Sequence, residues 1–179
     1  MSLAAYKVPY TYEDYKNWKG DWELINGDAI AMAPSPFGPH QNLLVNIAAD
    51  IRNSLKKCDG KCFAYAELDY IIDEFNVFRP DISVVCKKIK DFIKIPPKLV
   101  VEILSPSTAL KDKTVKFETY EKEGVEFYMM VDYELKKVKL YKLIDYKYRK
   151  IDEKSEGEMA IDIEKCKIVF NLDDWWEIV

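Results

Sequence analysis

Between residues 41 and 57 the apolar positions Leu44, Ile47, Ala48, Ile51 and Leu55 recur at helical spacing, while Asn46, Arg52, Asn53 and Lys56 fall mostly off that stripe. The pattern predicts an amphipathic helix that ends before Asp59-Gly60. A second helix is predicted over 112–123, with Gly124 placed where a left-handed residue closes a helix. Thr11 stands three residues before Asp14, a capping-box spacing with Asp in place of Glu, so a short helix is expected over Tyr12–Trp18.

Elsewhere the apolar runs are short and strand-like. In WELINGDAIAMA, Asn26-Gly27 divides two such runs and predicts a hairpin, because both turn positions need φ > 0. APSPFGPH, with three prolines and a glycine, predicts a loop. CFAYAELDYII reads as extended chain, and DISVVC and KLVVEIL as short strands, with Pro80 at a strand start where its missing N–H does least harm. KKIKDFIKIPPK between them is a basic connection whose lysines 87, 88, 90, 94 and 98 read as solvated. VEFYMMVD, KKVKLYKLI, YKYRKI and EKCKIVFNL complete the strands, and Trp175-Trp176 are expected to cover the core. The fold class is α+β, a mostly antiparallel or mixed sheet flanked by helices. No repeat or composition shift divides the chain, so 1–179 is expected to form a single domain.

Composition narrows the function classes. About half of the 179 residues are apolar and a third charged, which fits a folded domain rather than a disordered one. A net charge of −4 argues against a protein that coats nucleic acid by bulk charge, but leaves room for a local basic groove or bound cations. No segment has the length of a membrane span, and MSLAAYKVPY lacks the apolar core of a signal peptide, so a cytoplasmic protein is expected. Cys58, Cys62, Cys86 and Cys166 are few and scattered, and His40 is the only histidine. A structural zinc site is therefore not expected, and the cysteines read as reduced thiols.

One residue breaks the apolar logic. Glu102 interrupts the run Leu99–Leu104, where an isolated carboxylate would cost on the order of several kcal/mol to bury. By strand parity it shares a face with Val100 and Leu104, while on the preceding strand Asp81 shares a face with Ser83 and Val85. Neighbouring strands can bring these two carboxylates together. Their repulsion would raise both pKa values, and a divalent cation would remove that cost.

RPD followed about twenty residues later by VEILSPS resembles the PD-(D/E)XK nuclease superfamily. More closely, TYEDY, WELINGDAIAMAPSP, HQNLL, RPDISVV, LVVEILSPST, DKTVKFETY and GVEFYMMVD resemble, in order and over nearly the whole chain, the restriction-endonuclease family called Uma-two. The resemblance implies a restriction-endonuclease-like core with extra N- and C-terminal strands. It also implies metal-dependent hydrolysis of phosphodiester bonds, in DNA, by a homodimer using Mg²⁺ or Mn²⁺. Asp81 and Glu102 match the two acidic positions as metal ligands, with the Ile103 carbonyl as a third oxygen. The superfamily lysine two residues after Glu102 is replaced by Leu104, and the resemblance points instead to Lys116 on the following helix, an i, i+4 neighbour of Tyr120. Glu23 in WELING matches an acidic residue that joins the metal site directly or through water. His40 and Arg79 are weaker candidates for a substrate phosphate, and Asp112 for a minor role.

Each residue also has a simpler reading. Asp81 could pair with Arg79 or cap a turn, Glu102 could bond a buried Lys or Tyr, and Lys116 could be a solvated helix lysine. Glu23 could be a hairpin-edge charge, His40 a helix-start residue and Asp112 an N-cap. The alternative function is a nuclease-fold protein without catalysis that binds nucleic acid or a partner protein.

Overall fold

All six residues of Leu99–Leu104 are buried, so this strand has no solvent face on which polar residues could alternate. The computed structural model describes residues 8–32, 37–58, 60–104 and 112–176. In chain order the strands are Trp22–Ile25 (β1), Asp28–Ala31 (β2), Phe63–Ala66 (β3), Tyr70–Asp73 (β4), Asn76–Phe78 (β5), Ile82–Val85 (β6) and Leu99–Leu104 (β7). Phe127–Asp132 (β8), Lys137–Ile144 (β9), Lys147–Lys154 (β10), Glu158–Ile163 (β11) and Cys166–Asn171 (β12) follow. The helices are Tyr12–Tyr15 (α1), Gly38–Leu55 (α2) and Phe117–Glu123 (α3). Among the described residues, no helix is long and apolar enough to cross a membrane.

The larger sheet runs β10-β9-β8-β7-β6-β3, the smaller β2-β1-β5-β4, and β11-β12 form a separate hairpin. β7 and β8 are parallel, which requires a crossover, and α3 lies on that connection. β7 pairs antiparallel with β6 and β8 with β9, so the sheet is mixed. The architecture is the expected α+β class.

Strand parity divides the interior into two layers. Leu99, Val101 and Ile103 pack with Ile82 and Val84 beneath α2 and the β11–β12 hairpin, and Trp175 closes this layer. Ile47 and Ile51 of α2 are fully buried there, each contributing roughly 1.5–3 kcal/mol. Helix propensities differ by at most about 0.7 kcal/mol per ordinary residue, so packing rather than propensity holds α2 in place. On the opposite face Val100 and Leu104 pack with Tyr128, Met130 and Tyr120, and the smaller sheet adds Ile25, Phe78 and Tyr70. Glu102 belongs to this second layer.

Several expectations change in detail. The capping box is present, Thr11 with Asp14, but α1 ends at Tyr15. Helix α2 begins at Gly38 rather than after His40, because Pro39 in the first turn has a preset φ and no N–H to satisfy. The remainder of the APSP loop, 33–36, and Ser105-Pro106-Ser107 lie outside the described residues. CFAYAELDYII divides between the two sheets as β3 and β4, with Glu67 at φ 49° between them. The Asn26-Gly27 hairpin forms, and a Cβ on Gly27 (φ +77°) would stand 2.4 Å from Pro9 Cβ. Strands β5 and β11 were not anticipated.

The cysteines are paired, Cys58 with Cys166 and Cys62 with Cys86, and the expectation of reduced thiols is corrected. Scatter along the chain did not measure distance in space. Phe63↔Val85 is a register pair of β3 and β6, and Cys62 and Cys86 are the next residues outward. Cys58 follows α2, which packs on the strand that Cys166 opens.

Candidate active site

Glu102 does not stand alone in its layer. The chain enters α3 through one π-helical turn, Asp112–Lys116, and Lys116 and Tyr120 both reach the strand. Lys116 Nζ lies 2.9 Å from Glu102 Oε1, and the Tyr120 hydroxyl donates to the same oxygen at 2.8 Å. Burial first, and the Glu102 charge second, hold the Tyr120 phenol well above its ordinary pKa, so it remains a donor.

From the other side β1 contributes Glu23. Its Oε1 lies 2.8 Å from Lys116 Nζ and accepts the Arg79 backbone N–H at 3.0 Å. Glu23, Glu102 and Lys116 are only 1%, 3% and 3% exposed. Lys116 is therefore no solvated helix lysine, and Glu23 no hairpin-edge charge. Buried at the meeting of three elements, the ammonium bridges two carboxylates.

Asp81 sits at the rim. The register Ile82↔Val101, extended by one residue, sets it opposite Glu102. Pro80 supplies no N–H to carry the ladder further, and the Asp81 side chain takes over part of the pairing: Ile103 N donates to its Oδ2 at 2.6 Å. His40, buried in the first turn of α2, places Nε2 3.2 Å from Asp81 Oδ1. Asp81, Ile103 and His40 are thus joined, and Lys116, Glu23 and Glu102 form the adjoining group.

Arg79 points elsewhere. Its Nε contacts Asp69 and its Nη1 Asp21, each at 2.6 Å, rather than Asp81. Partial burial works against its charge, but Asp69 and then Asp21 outweigh this and raise its pKa. Tyr15 donates to Asp69 Oδ2 at 2.8 Å. Asp69 and Tyr15 were not singled out by sequence, because their role depends on α1 meeting the residue just before β4. Tyr120 was placed by its i, i+4 spacing from Lys116, although its bond to Glu102 was not. The Asp112 side chain lies outside the described residues.

The donor chemistry fits a hard divalent cation. Three carboxylates and one ammonium carry a formal charge of −3 + 1 = −2, and oxygen donors suit Mg²⁺ or Mn²⁺. Among the described residues no three His, Cys, Asp or Glu side chains form a ready metal cage. A cation at this rim would complete its shell with water and phosphate oxygens, as Mg²⁺ commonly does.

Residues 10–165 match the family described as Uma2, putative restriction endonuclease. A solved structure described as a putative nuclease belonging to DUF820, from Anabaena variabilis, has the same fold. It aligns with a TM-score of 0.74 at 19% identity, covering 94% of this chain and 98% of that one. No curated protein matches the chain at a significant level.

Proposed function

Since the chain belongs to the Uma2 family of putative restriction endonucleases, we propose that it is a metal-dependent nuclease hydrolysing phosphodiester bonds in DNA. The observation that carries this reading is the Lys116 ammonium, 2.9 Å from Glu102, at a site whose usual lysine position is occupied by Leu104.

Asp81 and Glu102 are the residues that would hold Mg²⁺ or Mn²⁺, with the Ile103 carbonyl as a further oxygen. The bound ion supplies Lewis-acid polarisation of phosphate and a lowered pKa for water. Lys116 lies between two carboxylates, which suits it to donate hydrogen bonds and neutralise developing charge more than to accept a proton. Glu23 acts in this reading on the lysine rather than on an ion, since its Oε1 already faces Nζ and the Arg79 amide. Tyr120 fixes the Glu102 carboxylate, and the Ile103 amide and His40 fix Asp81. His40 meets the aspartate and Arg79 is held by Asp69 and Asp21, so neither is assigned to a phosphate here.

Nicking of supercoiled plasmid with Mg²⁺ or Mn²⁺ tests the proposal. Asp81→Asn preserves an acceptor for the Ile103 amide and is expected to abolish cleavage while the protein remains folded. Undiminished nicking by this variant would overturn the assignment. A homodimer suits a two-stranded substrate, and sedimentation checks it. The reading places the protein in the cytoplasm with its DNA, although disulfides are rare in that compartment and the two found here weigh against it.

One observation favours the second reading, a binding protein without catalysis: Glu102 has a buried lysine and a buried tyrosine as partners, a network that closes without any ion. DNA binding with no cleavage at any metal concentration would select it.

A further inference from the structure

Beside Arg79, on the face of the smaller sheet opposite Glu23, lies a cleft of about 270 Å³. Trp22 and Glu23 are successive residues of β1 and so point to opposite faces, which separates cleft from carboxylates. They meet again at the sheet's end. Arg79 lines the cleft, and Asp81 follows two residues later, about 7 Å along an extended chain. The walls include Tyr12, Tyr15, Trp18, Trp22 and Phe92.

Tyr15, Trp18 and Trp22 are held in place by one another. Tyr15–Trp18 and Trp18–Trp22 meet edge-on, with centroids 5.4 Å and 5.7 Å apart. Tyr10 meets Trp18 edge-on as well, at 5.3 Å, yet Trp18 is only half-buried and lines the cleft, so part of its surface stays open to a ligand. Phe92 is 44% exposed. A second hollow of about 250 Å³ shares Trp18 and Trp22, so aromatic surface continues past the first cleft. The volume is below the roughly 300–1,000 Å³ of drug-sized pockets, which suits a flat ring system rather than a whole cofactor.

Charge narrows the ligand further. The Arg79 guanidinium is matched by Asp69 and Asp21, and Lys16 at the mouth pairs with Glu13 at 2.6 Å. A cleft whose cations are already countered is poorly made for free phosphate, whereas aromatic rings and a planar guanidinium are made for stacking.

Resting on the nuclease reading, we infer that this cleft binds an unpaired nucleobase of the strand whose backbone reaches Asp81, with Trp18 and Phe92 as stacking surfaces. The substrate class is then nucleic acid with at least one unpaired or extruded base beside the cut, and a fully stacked duplex is the poorer ligand.

Fluorescence anisotropy of the full-length protein tests this, using a labelled short oligothymidylate, the matching duplex and an abasic strand of equal length, all in EDTA. The single strand should bind more tightly than the duplex or the abasic strand. Trp18→Ala and Phe92→Ala should each weaken single-strand binding about tenfold, and Trp18→Phe should retain most of it. The abasic strand should bind all variants alike, with circular dichroism confirming their fold. Equal affinity for abasic and base-bearing strands, or single-strand binding indifferent to both Trp18→Ala and Phe92→Ala, would overturn the inference. Because binding is read without metal, absence of plasmid nicking beside Trp18-dependent binding rejects the nuclease reading alone. Nicking beside Trp18- and Phe92-independent binding rejects the cleft alone.

Discussion

Lys116 Nζ lies 2.9 Å from Glu102 Oε1, although the two residues are fourteen positions apart and belong to different elements. The same ammonium meets Glu23. Removing it leaves two buried carboxylates facing a vacated site. Lys116→Met is therefore expected to cost about 3–5 kcal/mol of stability in urea denaturation, besides lowering cleavage about a hundredfold or more. Adding Glu23→Gln and Glu102→Gln removes the stranded charges, and the triple variant should recover most of the stability but none of the activity. A single Lys116→Met variant as stable as the parent would show that the bridge is not the buried ion network described here.

Leu104 occupies the position where the superfamily signature has lysine, and it shares a face with Glu102. Residues two apart on a strand are separated by about 6.6 Å, within reach of a lysine side chain. Leu104→Lys introduced into the Lys116→Met background should therefore raise plasmid nicking about tenfold above Lys116→Met alone. In the parent the same substitution should only destabilise, because a second amine then enters a filled apolar layer. Failure of the double variant to exceed Lys116→Met would mean that the amine must approach from the helix.

Glu102 was legible because all the remaining residues of β7 are apolar, so a lone charge stood out. Local sequence favoured a turn-capping or Arg79-paired role for Asp81, and only the resemblance singled it out. The resemblance, rather than spacing, pointed to Lys116, since a helix lysine looks the same in sequence whether solvated or buried. What sequence could not yield were meetings between distant elements: Glu23 with Lys116, Arg79 with Asp69, and Cys58 with Cys166. Strand β11 was legible in principle, since Met159, Ile161 and Ile163 alternate inward. Only Ala160, an apolar residue on the exposed face, blurs its short period-two pattern. Arg79 shows the opposite failing: nearness to Asp81 suggested a pair, but Asp69 and Asp21, brought in by the fold, hold the guanidinium instead.

The Tyr120 phenol gives the fold an alkaline sensitivity. Its folded pKa is raised by burial and then by Glu102, whereas in the unfolded chain it titrates near about 10. Above that value the unfolded state loses the proton first and is favoured. The stabilisation is thus complete below about pH 10 and declines as pH rises past it. Tyr120→Phe removes both the titration and the bond to Glu102. It should cost about 1.5–3 kcal/mol near neutrality and flatten the loss of stability between about pH 10 and 11. Denaturation midpoints across that range check it. An unchanged alkaline slope would place the titration on Tyr70 or Tyr148, which burial also raises.

The two disulfides act on different lengths of chain. Cys58–Cys166 closes a separation of 108 residues and Cys62–Cys86 one of 24. In the loop-entropy account these constrain the unfolded chain by about 5 and about 3 kcal/mol, respectively. Cys58→Ser with Cys166→Ser should therefore lower stability more than Cys62→Ser with Cys86→Ser. The first pair ties α2 to the β11–β12 hairpin, and the second staples β3 to β6, the strand just after Asp81. Cleavage at low temperature should survive loss of the first pair and respond more to loss of the second. Denaturation with and without reductant, read beside plasmid nicking, separates the two. If reductant moved neither the midpoint nor the activity, the sulfurs would not be bonded in solution.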